Sequence, residues 1–334
     1  MNVWKLTAAN HLMKSEETLR GTENKLRVRI TKLFIDSEDV ALYTGKRKPK
    51  YPLIPGRYAV GIIADDNGGA AFPKNARVLL HHFLPAEDTG TEEKNFADDD
   101  FRILGQTTDG FLRDFVYVSP DEITLLPEAV NDEKALLLPL IALAKAAVES
   151  LDVQRGQHVA VIGGSLLGIF ISRILIYQQS APLLVDSDKE RLDFARTRGI
   201  YYTSLNDEHL MNFVGTLTGG RLTDAAVYTP TASDYKELTT KVCAAGKHVA
   251  YIGVGTDPLV IDVGDIIKKS LVVHGLCEGN DYLENAINLL ANKAIDLSAY
   301  RFKLTPAEHA PQLFEDLAHR DKLPIDEINI INLV

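Results

Sequence analysis

The spacing of apolar residues changes near residue 130 and divides the chain into two parts. Before that point, short apolar runs alternate with polar or basic positions and are separated by Gly and Pro. Residues 24–35 follow this pattern most closely and predict an edge-exposed strand of an antiparallel sheet, whereas residues 36–45 predict a turn followed by a short helix. Further short strands at 77–83 and 110–118 complete the prediction of a compact β domain.

From residue 132 onwards the pattern becomes helical and then alternates between strands and helices. Residues 132–151 predict a helix that Pro139 kinks or interrupts. The alternation predicts a doubly wound parallel sheet. Its predicted strands are 158–162, 182–186, 224–228, 247–252 and 271–275, and its predicted helices are 166–178, 189–198, 233–245, 263–268 and 281–292.

Residues 296–334 depart from this alternation. The segment Thr305-Pro-Ala-Glu308 has the form of a capping box and predicts a helix start, and Pro311 is expected to distort that helix. The apolar run at 325–334 predicts a terminal strand.

The stretch from His158 to Asp186 contains an apolar strand, a Gly-rich turn, a helix, a second strand and an acid. This is the order of a dinucleotide-binding unit, in which glycines let backbone N–H groups approach a pyrophosphate and the acid binds ribose hydroxyls. Gly163, Gly168 and Asp186 occupy the first, third and acidic positions. Ser165 replaces the middle glycine, and a tight turn without a ligand is the alternative interpretation.

The acid at the second strand end favours NAD(H) over NADP(H), because a 2′-phosphate would meet the carboxylate of Asp186 beside Ser187. Arg191, one helical turn further on, would soften this repulsion, although a solvated helix arginine is the favoured interpretation of it. The other predicted cofactor contacts lie in the turn and after two later strands: Gly163, Gly164, Ser165, Leu166, Leu167, Gly168, Thr229, Gly253 and Val254.

Composition narrows the class of protein. A chain of 334 residues suits two domains, and its net charge of −10 argues against nucleic acid and anionic membrane surfaces as partners. No apolar run reaches the length of a membrane span, and the first residues do not resemble a signal peptide, so a cytoplasmic location is expected. With only Cys243 and Cys277, a disulfide framework or a cysteine metal knuckle is not expected.

The order of these parts resembles the medium-chain dehydrogenase/reductase superfamily over nearly the whole chain. Residues 36–45 resemble the family's Cys-Gly-Ser-Asp turn, residues 53–61 its Pro-x-x-x-Gly-His-Glu-x-x-Gly motif, and residues 110–115 its Gly-Gly-Phe-Ala-Glu-Tyr segment. The resemblance implies an α/β protein with a discontinuous GroES-like β-barrel catalytic domain, 1–140 and 295–334, and a doubly wound Rossmann domain, 141–294. It also implies a homodimer or homotetramer that associates through the strand near 271–275.

The resemblance also places the family's catalytic zinc ligands, and all three are changed here. Asp36 stands for the first Cys, Arg57 for the His and Leu138 for the third ligand. A guanidinium has no lone pair to offer and a leucine side chain has none at all, so we expect no metal site. The four-cysteine loop of zinc-binding relatives corresponds to residues 87–100, which contain seven acids and no Cys. This segment is interpreted as a solvated surface loop.

Two roles remain open for Asp36 and Arg57 at this position. A structural ion pair that replaces the metal is slightly favoured, because buried charges are normally paired first. The alternative is that Arg57 polarises a substrate carbonyl or holds a carboxylate. Tyr58 and Glu38 are candidates for proton transfer. His81 and His82 point to opposite faces of an extended strand, so one of them could line the cleft, but a core or surface histidine is the favoured interpretation of each.

The sequence therefore predicts a zinc-independent oxidoreductase that transfers hydride between NAD(H) and a small alcohol/carbonyl pair or an activated alkene. A catalytically silent nucleotide-binding or scaffold relative is the alternative, because the metal ligands and the middle glycine are lost.

Overall fold

The computed structural model describes residues 1–18, 25–65, 71–85, 101–230, 237–253, 261–320 and 322–334. The chain divides into two compact units, Met1–Leu137 with Leu297–Val334, and Leu138–Asp296. The sequence predicted domain boundaries after residues 140 and 294, and the boundaries between the two units lie within three residues of them. Among the described residues, no helix has the length and apolarity that crossing a membrane requires.

The first unit is built on a seven-stranded sheet in the order β16-β17-β3-β4-β5-β9, with β8 also paired to β3. Neighbouring strands of this sheet pair in antiparallel orientation, except β16 and β17, which pair in parallel. Two further pairs, β1-β2 and β6-β7, accompany it. The strands are β1 (Asn2–Ala8), β2 (His11–Glu16), β3 (Leu26–Ile35), β4 (Tyr58–Asp65), β5 (Arg77–Leu80), β6 (Phe83–Pro85), β7 (Phe101–Ile103), β8 (Phe115–Val118), β9 (Ile123–Leu125), β16 (Arg301–Pro306) and β17 (Glu327–Asn332).

Strand β3 is the centre of this sheet, and the prediction that residues 24–35 form an edge strand was wrong. It pairs with β4 along one side, while β8 and β17 share its other side. Its alternating basic residues suggested exposure, but most of its side chains are buried or half-buried because neighbouring strands cover both sides. The apolar core of this unit includes Val28, Ile30, Leu33 and Phe314.

The helices of the first unit are α1 (Ser37–Tyr43), α2 (Asp132–Ala135) and α10 (Ala310–Ala318). The predicted helix start at Thr305 was wrong, because Thr305 pairs with Ile331 in the parallel ladder of β16 and β17. Helix α10 begins five residues later, and Pro311 lies in its first turn. No distortion is required there, since the backbone nitrogens of a first turn have no intrahelical acceptor.

The second unit is a six-stranded parallel sheet in the order β12-β11-β10-β13-β14-β15. The alternation predicted a parallel sheet with five of these strands, and β12 was missed. The strand order reverses between β10 and β13, so this is the topological switch point of the sheet. The strands are β10 (His158–Ile162), β11 (Ala181–Asp186), β12 (Thr203–Leu205), β13 (Thr223–Tyr228), β14 (Cys243–Ile252) and β15 (Val272–Leu276).

The helices of this unit are α3 (Leu138–Ser150), α4 (Leu166–Tyr177), α5 (Lys189–Thr197), α6 (Leu210–Thr218), α7 (Leu238–Val242), α8 (Val263–Lys269) and α9 (Leu283–Ala291). The predicted helix over 132–151 is interrupted between α2 and α3, and Pro139 lies in the first turn of α3. The predicted helix over 233–245 extends too far, because Cys243 already begins β14; residues 231–236 lie outside the described residues.

We predict that Gly168→Ala destabilises the second unit strongly. A Cβ atom at Gly168 would lie 1.9 Å from the carbonyl oxygen of Gly163, a backbone contact that cannot relax without moving the turn. A loss on the order of 2–4 kcal/mol in unfolding free energy is expected, measured by urea denaturation.

The matched control is Gly215→Ala, also inside a helix, where an added Cβ meets nothing within 4 Å. This change should leave stability unchanged or raise it by about 0.5–1 kcal/mol. Equal effects of the two substitutions would contradict the packing of α4 on β10.

Candidate functional site

The residues predicted to act in catalysis lie in the first unit, and those predicted to bind the cofactor lie in the second. Asp36 stands immediately before α1 and caps it. Its Oδ1 accepts the backbone N–H groups of Glu38 and Asp39 at 2.9 and 3.1 Å. The side chain of Asp39 in turn accepts the backbone N–H of Asp36, which completes a capping box. The local fold therefore fixes the orientation of the Asp36 carboxylate.

Arg57 forms an ion pair with the other oxygen of that carboxylate. Its Nη2 donates to Asp36 Oδ2, and its side chain is only 2% exposed. The guanidinium carbon also lies 5.0 Å from the centroid of the Tyr58 ring, as a cation–π contact. Burial by itself lowers the pKa of Arg57, but the surrounding acidic groups, Asp36 first among them, together outweigh burial and raise the pKa above its usual range, so Arg57 remains a cation.

Asp39 belongs to this cluster and was missed by the sequence prediction. Its side chain is fully buried and accepts the backbone N–H of Gly56 at 3.1 Å. Burial and the neighbouring charge of Asp36 raise the pKa of Asp39 to about 8. Asp39 is therefore mostly protonated near neutral pH. Its spacing of three residues after Asp36, the capping-box spacing, was the signal that could have revealed it.

Tyr58 and His82 complete the buried cluster. The Tyr58 ring stacks on Phe34 at 5.8 Å and meets the edge of the His82 ring at 4.8 Å. Burial raises the pKa of the Tyr58 phenol above its usual range, with partial opposition from Arg57. The phenol therefore keeps its proton and can donate or accept a hydrogen bond, but it is not a general base at neutral pH. His82 is buried as the core interpretation required, but its Nδ1 has no hydrogen-bond partner among the described residues.

Glu38, the second candidate for proton transfer, is held away from this role. Both of its carboxylate oxygens accept from Arg47, and the closer contact is with Arg47 Nε. The side chain is partly exposed. Its charge is therefore engaged in a peripheral ion pair.

The donor set at the first two expected zinc positions does not fit a zinc ion. Asp36 is the one carboxylate there, and its oxygens are bonded to the α1 backbone and to Arg57, a group without a lone pair. Leu138, the residue at the third expected position, begins α3 in the other unit and is fully buried. Within the described parts of the chain, no three His, Cys, Asp or Glu side chains form a group that could hold a metal.

The Gly-rich turn of the second unit connects β10 to α4 beside the switch point. Gly163 has φ of 108°, a left-handed value that favours glycine, and the close approach at Gly168 places α4 directly on the turn. Ser165 takes the N-cap position of α4, where its Oγ accepts from Gly168 N at 3.5 Å. The missing middle glycine is thus replaced by a capping serine. Leu166 and Leu167 form the first helical turn.

Asp186 lies at the end of β11 and faces this turn. Its Oδ2 accepts the backbone N–H of Gly164 at 2.6 Å, and its Oδ1 accepts that of Asp188 at 2.8 Å. Arg191 is not simply solvated, because its Nη1 lies 3.5 Å from Asp186 Oδ2 and its Nε 3.6 Å from Asp188. The Asp186 side chain is 1% exposed, and backbone hydrogen bonds to both of its oxygens fix the orientation of the carboxylate. Ser187, next in the chain, follows the strand end.

Thr229 and Gly253 follow the ends of β13 and β14, as predicted. Thr229 is fully buried and donates its hydroxyl to Ile162 O at 3.1 Å, so this side chain joins β13 to β10 at the switch point. Gly253 N donates to Leu276 O at 3.0 Å. Val254 lies outside the described residues.

These residues fit a dinucleotide in their backbone geometry. The turn, the helix N-terminus and the acid lie in the order and at the switch point that such a cofactor requires. Gly163 to Ser165 would lie against the pyrophosphate and Asp186 against the adenosine ribose.

Comparison with known proteins agrees with both units. Residues 22–128 match the family model of the alcohol dehydrogenase GroES-like domain. The chain is 20% identical over 316 residues to an uncharacterized zinc-type alcohol dehydrogenase-like protein of Haemophilus influenzae, and this match covers 92% of each of the two proteins. It is 24% identical over 312 residues to a ribulose-5-phosphate reductase of Bacillus spizizenii, covering 87% of this chain and 88% of the relative.

The fold is that of solved dehydrogenases. An alcohol dehydrogenase from Escherichia coli CFT073 in complex with NADH superimposes with a TM-score of 0.84 at 16% identity, covering 100% of this chain and 99% of the other. The GroES-like match, the relatives that span both units and this likeness of fold agree with the motifs of the sequence. Residues 22–128 thus match the alcohol dehydrogenase GroES-like domain, and over most of its length the chain is similar to zinc-type alcohol dehydrogenase-like proteins of the medium-chain dehydrogenase/reductase kind.

Proposed function

We propose that this chain is an oxidoreductase of the alcohol or polyol dehydrogenase type that uses NAD(H) and works without zinc. Its substrate would be a small alcohol/carbonyl pair or an activated alkene. The observation that carries the proposal is the Gly163–Gly168 turn with Asp186 beside it, at the switch point of the parallel sheet. The oxidoreductase names of the relatives and the NADH complex of a similar fold support it. A cytoplasmic location stays a prediction of the sequence.

The nicotinamide, when bound, would accept or donate the hydride. The protein supplies orientation: the turn and Asp186 hold the adenosine half, while Thr229 fixes the end of β13. Since Asp186 is negatively charged and already bonded to two backbone groups, a 2′-phosphate beside it would be repelled. This favours NAD(H), with NADP(H) less suited.

Zinc independence is supported by the Asp36–Arg57 pair. Removing the charge of either partner would leave the other buried and unpaired, so the pair maintains the local structure without a metal. Burial of Arg57 favours the structural role of this pair, which the sequence had already ranked first.

The buried Nε–H of Arg57 has no hydrogen-bond partner in the described part of the chain, so this donor is left for chemistry. A fixed N–H on a cation can polarise a substrate carbonyl and stabilise the developing alkoxide. Tyr58, which keeps its proton, is the nearest candidate to donate a hydrogen bond beside it. The structural and catalytic roles of Arg57 therefore use different atoms of one side chain.

A catalytically silent protein is the second candidate, and one observation favours it. The 2.6 Å bond from Gly164 N to Asp186 joins the turn directly to the acid and occupies a carboxylate lone pair that a ribose hydroxyl would use. An enzyme must bind ribose through the remaining lone pairs.

We predict that NADH binds and that NADPH binds at least roughly tenfold more weakly, measured by fluorescence titration of each. Arg191→Ala should widen this preference, because it removes the cation that partly compensates Asp186. Arg196→Ala is the matched control, since Arg196 lies on the same helix but pairs with Asp193. Tighter binding of NADPH, or no binding of either, would contradict the cofactor assignment. If NADH binds, a panel of aldehydes, ketones, quinones and enones separates an enzyme from the silent alternative.

We further propose that the protein forms homodimers or homotetramers through β15. Among the residues that the structure describes, this strand is the edge of the parallel sheet and pairs with β14 alone. Val272 and Val273 are 44% and 41% exposed, and no charged residue or proline protects this strand. Exposed, unprotected edges are ready to pair with another chain.

Val273→Asp is predicted to convert the oligomer to monomer in sedimentation or light-scattering measurements at micromolar concentration, because a charge at the edge opposes strand pairing. Leu205→Asp is the control, since Leu205 is 38% exposed on β12 at the opposite edge. A monomeric wild-type chain, or dissociation by the control substitution alone, would refute the use of β15.

A further inference from the structure

His248 and His274 form a direct contact between their imidazole rings, on two neighbouring strands of the parallel sheet. His248 lies on β14 and His274 on the edge strand β15, and both side chains are half-buried. His248 Nδ1 lies 3.0 Å from His274 Nε2, while the ring centroids are 5.1 Å apart and the ring planes differ by 19°. Because the centroids are so much further apart than the nitrogens, the rings meet nearly end to end. The two nitrogens therefore point at each other and form a hydrogen bond.

The carbonyl oxygen of Ser150 lies beside the same nitrogen, 3.3 Å from His248 Nδ1. Ser150 is the last residue of α3, and the carbonyl groups at the end of a helix have no intrahelical partner and carry partial negative charge. A hydrogen on His248 Nδ1 faces both this oxygen and His274 Nε2. The pair thus connects three elements of the second unit, α3, β14 and β15.

The contact between the two rings has room for one hydrogen atom only. A neutral imidazole carries its hydrogen on one of its two nitrogens, so one ring donates and the other accepts, whichever tautomers are present. The donating ring can take one further proton on its outer nitrogen, and the hydrogen bond then becomes charge-assisted. When both rings are protonated, two hydrogens and two positive charges face each other across 3.0 Å. Double protonation therefore breaks the contact.

The charged residues on the elements beside the pair are already paired with each other. α3 packs against β14 and β15, and β13 is the other neighbour of β14. The charged side chains of these elements form two salt bridges, Lys145 with Glu149 on α3 and Lys247 of β14 with Asp224 of β13. Neither histidine ring forms a salt bridge within the described part of the chain. A second positive charge on the pair is therefore not offset from this face of the sheet.

The opposite face of β14 offers no compensation either. Side chains alternate along a strand, and α7 and α8 pack on the face that carries Val249 and Tyr251. The sheet therefore separates the pair from the charged residues of these two helices, which are Lys241, Asp265, Lys268 and Lys269.

The electrostatics give the direction of the pH dependence. Burial and the charge of His248 lower the pKa of His274, and no acid among the described residues opposes them. The folded protein therefore binds fewer protons on this pair than the unfolded chain, in which each histidine titrates near about pH 6.5. Stability falls with falling pH wherever the unfolded chain binds more protons. The connection of β15 to the sheet should thus weaken as the pH falls below about 6.5.

We infer that the pair of His248 and His274 is a pH-sensitive connection, which holds the edge strand β15 to β14 and α3 at neutral pH and releases it when both rings are protonated. The inference does not rest on the proposed cofactor or substrate. It goes beyond them by making the edge of the sheet, through which association is proposed above, respond to mild acid.

The test is hydrogen–deuterium exchange of the full chain at about pH 7.5 and 5.5, one unit on either side of the ordinary histidine pKa, after correction for the intrinsic pH dependence of exchange. Exchange in β15 is compared with exchange in β10, which lies inside the same sheet. The variants are His274→Gln and His248→Gln, whose amides keep a hydrogen-bonding group but take no proton. The matched control is His209→Gln, because the side chain of His209 belongs to the same unit and is 76% exposed beside Glu208.

In the wild-type protein, protection of β15 should fall about tenfold relative to β10 at the lower pH, because a hydrogen bond is replaced by repulsion. In His274→Gln the change should be less than about twofold, and the control should keep the wild-type response. The response should not depend on protein concentration, since both histidines belong to one chain.

Equal loss of protection in the wild-type protein and in His274→Gln would overturn the inference, by assigning the response to other groups. Unchanged protection of β15 in the wild-type protein would overturn it as well. A response that disappears at higher protein concentration would also do so, by assigning it to dissociation of the oligomer. If His274→Gln does not fold, His248→Gln decides in the same way, because it also leaves a single imidazole. A failure to bind NADH refutes the proposed function alone, since exchange is measured without cofactor.

Discussion

The ion pair between Asp36 and Arg57 organises the candidate site of the first unit. One oxygen of Asp36 caps α1 and the other holds Arg57, so the helix start and the buried cation are fixed by the same carboxylate. A guanidinium this deeply buried is stable only with a partner. Asp39, with its raised pKa of about 8, contributes little negative charge near neutral pH, so one cation faces one anion. The cluster is electrically balanced from its own residues.

The pairing of Arg57 with Asp36 determines which catalytic role Arg57 can have. In the proposed function the guanidinium of Arg57 takes the place of the zinc ion that acts as a Lewis acid in zinc-dependent dehydrogenases, and a guanidinium can only donate hydrogen bonds. Such donors stabilise a developing alkoxide when they are fixed before the reaction and shielded from water. Arg57 meets the first condition through Asp36 and the second through burial. On the nucleotide side, Asp186 is fixed in the same way, by two backbone N–H groups and by Arg191.

The sequence predicted what depends on local pattern. The alternation of strands and helices gave the parallel sheet, and the glycine spacing gave the β10–α4 turn, because both follow from periodicity and from backbone conformations that only glycine adopts easily. The sequence prediction failed where pairing between strands distant in the chain determines the structure. The basic residues of β3 suggested an edge, yet three strands cover it, and Thr305 had a capping pattern but entered a parallel ladder. Asp39 was missed because its importance comes from burial beside residues distant in sequence, such as Arg57. His82 was interpreted as a core or surface histidine, and the structure places it in the core.

The central claim is that an internal ion pair occupies the position where this superfamily carries zinc. The most direct measurement is the zinc content, by inductively coupled plasma mass spectrometry, of protein purified without chelators from cells grown in zinc-supplemented medium. The account predicts far less than one zinc atom per chain, because Asp36 is bonded to Arg57 and, among the described residues, no three His, Cys, Asp or Glu side chains form a group that could hold a metal. One zinc atom per chain in the wild-type protein, lost on Asp36→Asn, would contradict it.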